Sequence, residues 1–106
     1  MEVDAILRRA SAAGDFATVI RKGDDDRGTL VILISSRGNH FACLERVLDF
    51  ASGDYAWAVT GPANSAESAE VARFVAGRAR LDPDLWVIEL DIADPERFIA
   101  ETTAAG

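Results

Sequence analysis

The chain has 106 residues, of which 49% are hydrophobic and 27% are charged, and its formal net charge is −7. This length and composition predict one globular domain over residues 1–106, large enough to bury a core without disulfides. The acidic balance, concentrated in the second half of the chain, argues against a nucleic-acid partner, because phosphate binding needs a basic face.

The first part of the chain predicts one helix and two strands. Apolar residues at helical spacing predict a helix that ends at Gly14, since glycine is favoured just beyond a helix end. Residues 16–21 predict a strand, and residues 23–28, rich in aspartate and bounded by glycines, predict a turn. Residues 29–35 are apolar on both faces, which is typical of a strand in the middle of a covered sheet.

Two further strands and a helix follow. A turn at residues 37–39 precedes a third predicted strand over residues 40–48. Residues 55–60 alternate large side chains with alanines and predict a fourth strand. Asn64 lies three residues before Glu67, an arrangement that predicts a capped helix start.

The last part of the chain predicts a strand and a short helix. Pro83 has no N–H and ends the preceding helix. Large residues alternate over residues 86–90, which indicates a strand. Asp94 followed by Pro95 predicts the start of the final helix, and residues 102–106 are expected to form a frayed tail.

The order of elements, α-β-β-β-β-α-β-α, predicts an α+β domain with a mostly antiparallel five-stranded sheet and helices mainly on one face. Short connections place strands one to four in a meander, and strand five is expected beside strand one, on the side away from strand two. Strand four is then an edge strand without the lysine, arginine or proline that normally blocks edge pairing. This edge predicts a homodimer with two-fold symmetry.

Several sequence features bear on location. The longest apolar run, residues 30–34, is far too short to span a bilayer. Glu2 and Asp4 stand where an export signal would carry positive charge. A single cysteine, Cys43, excludes an internal disulfide and a cysteine zinc cage. We therefore expect a bacterial cytoplasmic protein without a membrane partner.

Several short segments spread along the chain are distinctive in combination. They are Leu7-Arg8-Arg9, Ala13-Gly14-Asp15-Phe16-Ala17-Thr18-Val19, Arg21-Lys22-Gly23-Asp24, Gly28, Trp57 and Asp82-Pro83-Asp84-Leu85-Trp86-Val87-Ile88-Glu89. Together they resemble an uncharacterised bacterial family, domain of unknown function 1491, and the resemblance extends from Ala5 to about Ile92. It implies a small, single-domain cytoplasmic protein and brings no assigned activity, cofactor or catalytic residue.

Four arginines form the candidate ligand site. Arg8 and Arg9 lie toward the end of the first predicted helix, and Arg78 and Arg80 lie toward the end of the second. Arginine binds carboxylate or phosphate through two parallel hydrogen bonds, so four converging arginines would hold a small anion. The alternative is that these cations offset the helix dipoles and that Arg8 pairs with Asp4, four residues earlier.

Two other polar features of the sequence are candidate sites. The acidic residues 24–26 are consecutive, whereas a calcium loop needs alternate spacing, so a solvated turn is the better interpretation. His40 is the only histidine and has no partner residue nearby in sequence that would make it a catalytic base. The sequence therefore predicts neither a metal site nor a catalytic group.

The cysteine and the tryptophans are more typical of a core than of a site. Cys43 is expected to be a small buried residue, although a nucleophile is the alternative. Trp57 and Trp86 are expected to be mostly buried, although either ring would also stack on a ligand. Asp82 and Asp84 flank Pro83 and are expected to form the turn, with a carboxylate pair as the alternative.

The function best supported by these patterns is a small interaction or regulatory module without catalytic activity and without a cofactor. The alternative is a domain that binds an anionic metabolite at the arginine-rich helix ends. A pocket lined by two or more of those arginines would favour the alternative, and a large apolar surface would favour the module.

Overall fold

The computed structural model describes residues 2–12, 15–27 and 29–104. Its elements confirm the predicted order and the α+β class. Gly14 and Gly28, which the sequence assigned to a helix end and a turn, lie outside the described residues. The elements are α1 (Glu2–Ala12), β1 (Phe16–Arg21), β2 (Leu30–Ser36), β3 (Asn39–Leu48), β4 (Tyr55–Thr60), α2 (Ser68–Leu81), β5 (Trp86–Asp91) and α3 (Pro95–Ala104).

The five strands form one mixed sheet in the order β1-β5-β2-β3-β4. β2 and β5 are parallel, and the other neighbouring strands are antiparallel. β5 lies beside β1 as predicted, but the predicted side is wrong, because β5 is inserted between β1 and β2. The insertion puts the two most apolar strands in the centre, where both of their faces are covered.

Alternate residues of the central strands enter two cores, one on each face of the sheet. α1 and α3 cover one face, called here the two-helix face, and α2 covers the other, called the α2 face. Two of the three helices thus share a face, as predicted. The two-helix core contains Ala10, Ile32, Ile34, Leu44, Trp86, Ile88, Leu90 and Ile92. The α2 core contains Val31, Leu33, Cys43, Leu85 and Val87.

The predicted turn between β2 and β3 is a two-residue hairpin loop. Arg37 and Gly38 both have positive φ, at 53° and 79°, as a type I′ turn requires. Asp91, at the end of β5, accepts both of their N–H groups, at 3.0 and 2.9 Å. The last residue of β5 therefore fixes the hairpin that links β2 to β3.

The Asp82-Pro83-Asp84 segment, which the sequence left open between turn and site, has a structural role. Asp82 accepts hydrogen bonds from the N–H and the hydroxyl of Thr29, at 3.2 and 2.7 Å, and from the N–H of Asp84 at 3.0 Å. The Thr29 hydroxyl is the main cause of the lowered pKa of Asp82. The carboxylate thus joins the turn before β5 to the start of β2.

The loop between β1 and β2 is held by the same segment. The Trp86 indole donates to the carbonyl of Asp24 at 2.9 Å, and the Asp24 N–H donates to the carbonyl of Asp84 at 3.0 Å. Gly23 is needed there, because a Cβ at this position would lie 2.0 Å from the Asp84 carbonyl oxygen. The family-like residues at 23–24 and 82–86 therefore form one packed unit.

The predicted start of α2 is wrong. The helix begins at Ser68, and the cap residue Glu67 makes no side-chain cap bond. Ser65 has a φ of 69°, and its N–H donates to the carbonyl of His40 at 2.9 Å, so the chain is diverted before a helix forms at Asn64. A contact with β3, which local sequence does not reveal, overrides the capping box.

The predicted start of α3 is confirmed. The Asp94 carboxylate accepts the N–H of Arg97 at 3.2 Å, as an N-cap does, and Pro95 is the first helical residue. The helix continues to Ala104 through residues that the sequence assigned to the tail. Across the described residues, no helix has both the length and the apolar character needed to cross a membrane.

Candidate functional site

The four arginines of the predicted anion site lie on two faces of the sheet. Arg8 and Arg9 belong to α1, on the two-helix face, whereas Arg78 and Arg80 belong to α2, on the opposite face. The structure does not bring the four together. Binding of an anion by either pair stays a prediction.

Three of these arginines already have partners in the chain. Arg8 donates to the backbone carbonyl of Asp4 at 3.4 Å, so the predicted pairing is with the main chain. The Arg9 guanidinium lies 5.4 Å from the centroid of the Phe98 ring. Arg78 is bound by the Glu45 carboxylate, and Arg80 is exposed.

A carboxylate–guanidinium pair joins α2 to the β3–β4 hairpin. Arg78 Nε and Nη2 donate to the two Glu45 oxygens at 2.8 and 3.1 Å, and the Thr60 hydroxyl donates to the same carboxylate at 2.6 Å. The guanidinium also lies 4.8 Å from the Phe74 ring centroid. The Glu45 hydrogen bonds raise the pKa of Arg78. No sequence pattern indicates this pair, because its members are 33 residues apart.

Cys43 lies in the α2 core and is fully buried. Burial, with a smaller contribution from the negative charge of Glu45, raises the pKa of the thiol to about 11. A thiol of this kind stays protonated near neutral pH and is not a nucleophile. The prediction that Cys43 is a small core residue is confirmed.

The two tryptophans differ in burial. Trp86 is 8% exposed, which confirms its prediction, whereas Trp57 is only half-buried. The guanidinium of Arg46 lies 4.9 Å from the Trp57 ring centroid. Trp57 also lines a groove of about 530 Å³ between α1 and α3, together with Arg9 and Phe98.

The acidic turn serves the backbone. One oxygen of the Asp24 carboxylate accepts the N–H groups of Asp26 and Arg27, at 2.8 and 3.0 Å. This geometry is an aspartate-capped turn, as predicted. Within the part of the chain that the structure describes, no group of three His, Cys, Asp or Glu side chains is placed to hold a metal ion.

A second groove, of about 520 Å³, lies between α2 and the sheet and is called here the α2 groove. Apart from Ser68 at the start of α2, its helix wall is apolar and consists largely of short side chains, which leave space above the strands. Its sheet wall carries polar groups from four different strands. The helix wall includes Val71, Ala72, Val75, Ala76 and Ala79, and the polar groups are Arg21, Ser35, His40 and Glu89.

The polar groups of the sheet wall make few contacts with one another. Ser35 is 4% exposed, and its hydroxyl donates to Glu89 Oε2 at 3.0 Å. His40 lies opposite Ser35 in the β2–β3 register, but its Nε2 is 3.1 Å from the carbonyl oxygen of Pro62. Because a carbonyl only accepts, Nε2 carries the proton and donates it to Pro62, so this nitrogen is not free to accept the serine proton. The serine hydroxyl is therefore not set up as a nucleophile.

Arg21 stands at the other end of the groove. A bulge between Val19 and Arg21 shifts the register of β1, so that Arg21 pairs with Val87 and faces α2. Its Nη2 donates to the carbonyl of Pro83 at 2.7 Å, and its buried Nε has no acceptor among the described residues. Of these groove residues, sequence analysis considered His40 as a candidate catalytic base but did not identify Arg21 or Glu89 as site residues.

β4 is an edge of the sheet, as predicted. The β3–β4 hairpin also exposes large apolar side chains at its end and along β4, which are called here the β4 patch. Its members, with their exposed fractions, are Leu48 (40%), Phe50 (91%), Tyr55 (65%) and Val59 (57%). The β1 edge exposes Phe16 (77%), Val19 (43%) and Ile20 (51%).

A family model described as a protein of unknown function, DUF1491, matches residues 1–100. The chain belongs to the DUF1491 family. The resemblance found in its short segments is thereby confirmed, and the family carries no assigned activity. No curated protein matches the chain.

Solved structures share both the sequence and the fold. A crystal structure of a DUF1491 family protein from Caulobacter crescentus CB15 is 31% identical, with a TM-score of 0.71, and covers 91% of this chain and 86% of its own. An NMR structure of a DUF1491 family protein from Caulobacter crescentus CB15 is 32% identical, with a TM-score of 0.72 and the same coverage. The solution structure of Atu0922 from A. tumefaciens is 26% identical, with a TM-score of 0.68, and covers 85% of this chain and 80% of its own.

Proposed function

We propose that this DUF1491 protein is a non-catalytic interaction module of the bacterial cytoplasm that forms a two-fold dimer through β4. The supporting observation is the β4 edge, which is unpaired in the single chain and lies beside the exposed β4 patch. Its sequence, Tyr55–Thr60, has no charged residue and no proline. Charged residues and proline are the usual guards against edge pairing.

The charges of the chain favour a second copy that runs antiparallel. The net charge of −7 opposes association over most of the surface, whereas β4 is uncharged. In an antiparallel β4–β4 pair, Tyr55 of each copy lies near Thr60 of the other. The acidic hairpin ends, with Asp49 and Asp54, then lie at opposite ends of the shared sheet, about 20 Å apart for a six-residue strand. The acidic hairpin ends of the two copies are thus kept apart in the β4–β4 pair.

The test is the solution mass of the chain and of two matched variants. Sedimentation at micromolar concentration is expected to give a species of twice the 11.4 kDa chain mass. Val59→Lys places a charge on the β4 edge and is expected to give the monomer. Val19→Lys makes the same change on the β1 edge and is expected to leave the dimer intact.

Two outcomes would overturn the proposed dimer. A wild-type chain that sediments only as a monomer removes it directly. A dimer that survives Val59→Lys but dissociates with Val19→Lys moves the contact to β1. Cell fractionation tests the location, and we expect the chain to accompany cytoplasmic markers.

A further inference from the structure

We propose that the α2 groove binds a small zwitterion, an α-amino acid with an aliphatic side chain. In this site the ligand ammonium lies against Glu89, the ligand carboxylate against Arg21, and the aliphatic group against the helix wall. The site is on the opposite side of the sheet from the two-helix core and does not include β4. The proposal is therefore independent of the proposed dimer.

The first argument is the position of Glu89. β5 is a central strand, and four of its five residues other than Glu89 are buried, namely Trp86, Val87, Ile88 and Leu90. A carboxylate in such a place loses part of its hydration, which costs stability unless something compensates. Ser35 supplies one hydrogen bond to Oε2, and no described residue bonds to Oε1. That oxygen is available for a donor that enters the groove.

The second argument is that the groove holds two opposite charges that do not neutralise each other. Thr18 pairs with Glu89 and Arg21 pairs with Val87, so the arginine and the glutamate are diagonal neighbours on adjacent strands, about 7–8 Å apart at the backbone. Among the ion pairs of the described residues, none joins Arg21 to Glu89. Arg21 Nη2 donates to the Pro83 carbonyl, which orients the guanidinium. Its charge also contributes, as a smaller cause, to the lowered pKa of Asp82, but it forms no ion pair with the described residues of the groove.

Charge complementarity then selects the class of ligand. A simple anion would satisfy Arg21 but would lie beside the Glu89 carboxylate, and a simple cation would have the reverse conflict. A ligand that carries an ammonium and a carboxylate on one carbon meets both groups with charge-assisted hydrogen bonds. The diagonal spacing suits a ligand that bridges the two side chains.

The helix wall determines the rest of the ligand. Ala72, Ala76 and Ala79 are too short to fill the space above the strands, and Val71 and Val75 make its surface apolar. Small-molecule sites typically combine such an apolar wall with a few polar groups that fix orientation. An aliphatic side chain of the size of leucine or valine matches this wall, whereas a second charged group would have no partner on it.

The experiment measures binding by two-dimensional NMR and by thermal unfolding, with leucine, valine and glutamate as amino-acid probes. Leucine or valine is expected to shift the resonances of Ser35 and Ala76 in a saturable way and to raise the melting temperature. Glutamate is expected to bind more weakly. Two leucine analogues test the two charged groups: 3-methylbutylamine lacks the carboxylate, and 4-methylpentanoate lacks the ammonium. Each is expected to bind more weakly than leucine, by roughly tenfold or more.

Matched variants assign the effect to the groove. Glu89→Gln and Arg21→Gln are each expected to weaken leucine binding by roughly tenfold or more, since each removes one charge-assisted contact. Glu70→Gln and Arg73→Gln make the same changes on exposed residues of α2 that do not line the groove, and they are expected to bind like the wild type. Native-like spectra of all four variants establish that they are folded.

Three outcomes would overturn the proposal. The first is the absence of any saturable shift with leucine or valine at millimolar concentration. The second is binding that survives both Glu89→Gln and Arg21→Gln. The third is equal binding of 3-methylbutylamine and leucine, which would make the groove a site for amines and remove the role of Arg21.

Discussion

The two faces of the sheet are built from alternate residues of the same strands and yet differ in content. On the two-helix face, β2 and β5 present Ile32, Ile34, Ile88 and Leu90, all at most 1% exposed. On the α2 face, the intervening residues include two polar ones, Ser35 and Glu89. One face is a continuous aliphatic core, and the other is a smaller core that ends in a polar groove. The main aliphatic core thus lies on the two-helix face, and the proposed ligand groove lies on the other.

The helices follow the same division. α1 and α3 contribute the buried Ala10 and the partly buried Ile6, Leu7, Phe98 and Ile99 to the two-helix core. Of the described residues of α2, none is fully buried, and the helix contacts the α2 core through Val71, Phe74, Val75 and Ala79. The pair of Arg78 and Glu45 supplies a polar attachment at its C-terminal end.

The largest predicted effect is on the two-helix face. Trp86→Ala removes a buried indole and its hydrogen bond to Asp24, so we expect the free energy of unfolding to fall by about 3–5 kcal/mol. Trp57→Ala, on the same face but half-buried, is expected to cost clearly less. Denaturant unfolding measures both. A larger loss for Trp57 than for Trp86 would contradict the assignment of the main core to the central strands.

The second prediction concerns pH and the α2 core. Because the pKa of Cys43 is raised from 9.0 to about 11 in the folded state, the folded chain holds its thiol proton at pH values where the unfolded chain has lost it. Stability from this group is therefore complete below about pH 9 and is lost as the pH rises toward 11, on the order of 2 kcal/mol. Cys43→Ala is expected to reduce this fall in the free energy of unfolding. If the free energy of unfolding declines equally with pH in the wild type and the variant between pH 8 and 11, the thiol is not buried as described.

The third prediction concerns the attachment of α2. Glu45→Gln keeps the size of the side chain but removes its charge from Arg78, and we expect a loss of about 1–2 kcal/mol, reduced by the partial exposure of the arginine. Glu101→Gln removes the carboxylate of the exposed pair with Arg97, which has a similar distance, and is expected to change stability too little to resolve. Chemical unfolding of both variants gives the comparison. Equal losses of stability in the two variants would mean that the burial of Glu45 does not strengthen its pair with Arg78.

The sequence predicted the elements of both faces because their signals are local. Alternation with a period of two marks β5, and the Asp94-Pro95 pair marks α3. The position of β5 between β1 and β2 was missed, since the choice of neighbours in a sheet depends on contacts between distant residues. The start of α2 was missed for a similar reason, because the bond between Ser65 and His40 crosses 25 residues.

The candidate groove was less predictable than the fold. Ser35 and Glu89 are 54 residues apart, and Arg21 faces α2 only because of a bulge in β1. One sequence signal was present, namely the charged Glu89 within an otherwise apolar run from Trp86 to Leu90. A charge in a predicted central strand conflicts with its surroundings, and such conflicts concentrate at functional sites.

The smallest predicted effect tests the division of roles most directly. Glu89→Gln keeps an oxygen to accept the Ser35 hydroxyl but removes a charge from a central strand, so we expect stability to rise by about 0.5–1 kcal/mol. Glu89→Ala is expected to lower it by about 1–2 kcal/mol, because the buried Ser35 hydroxyl then loses its acceptor. Denaturant unfolding at pH 7 separates the two. If the glutamine variant is destabilised as much as the alanine variant, the carboxylate is held for structure, and the polar end of the α2 face needs no ligand to explain it.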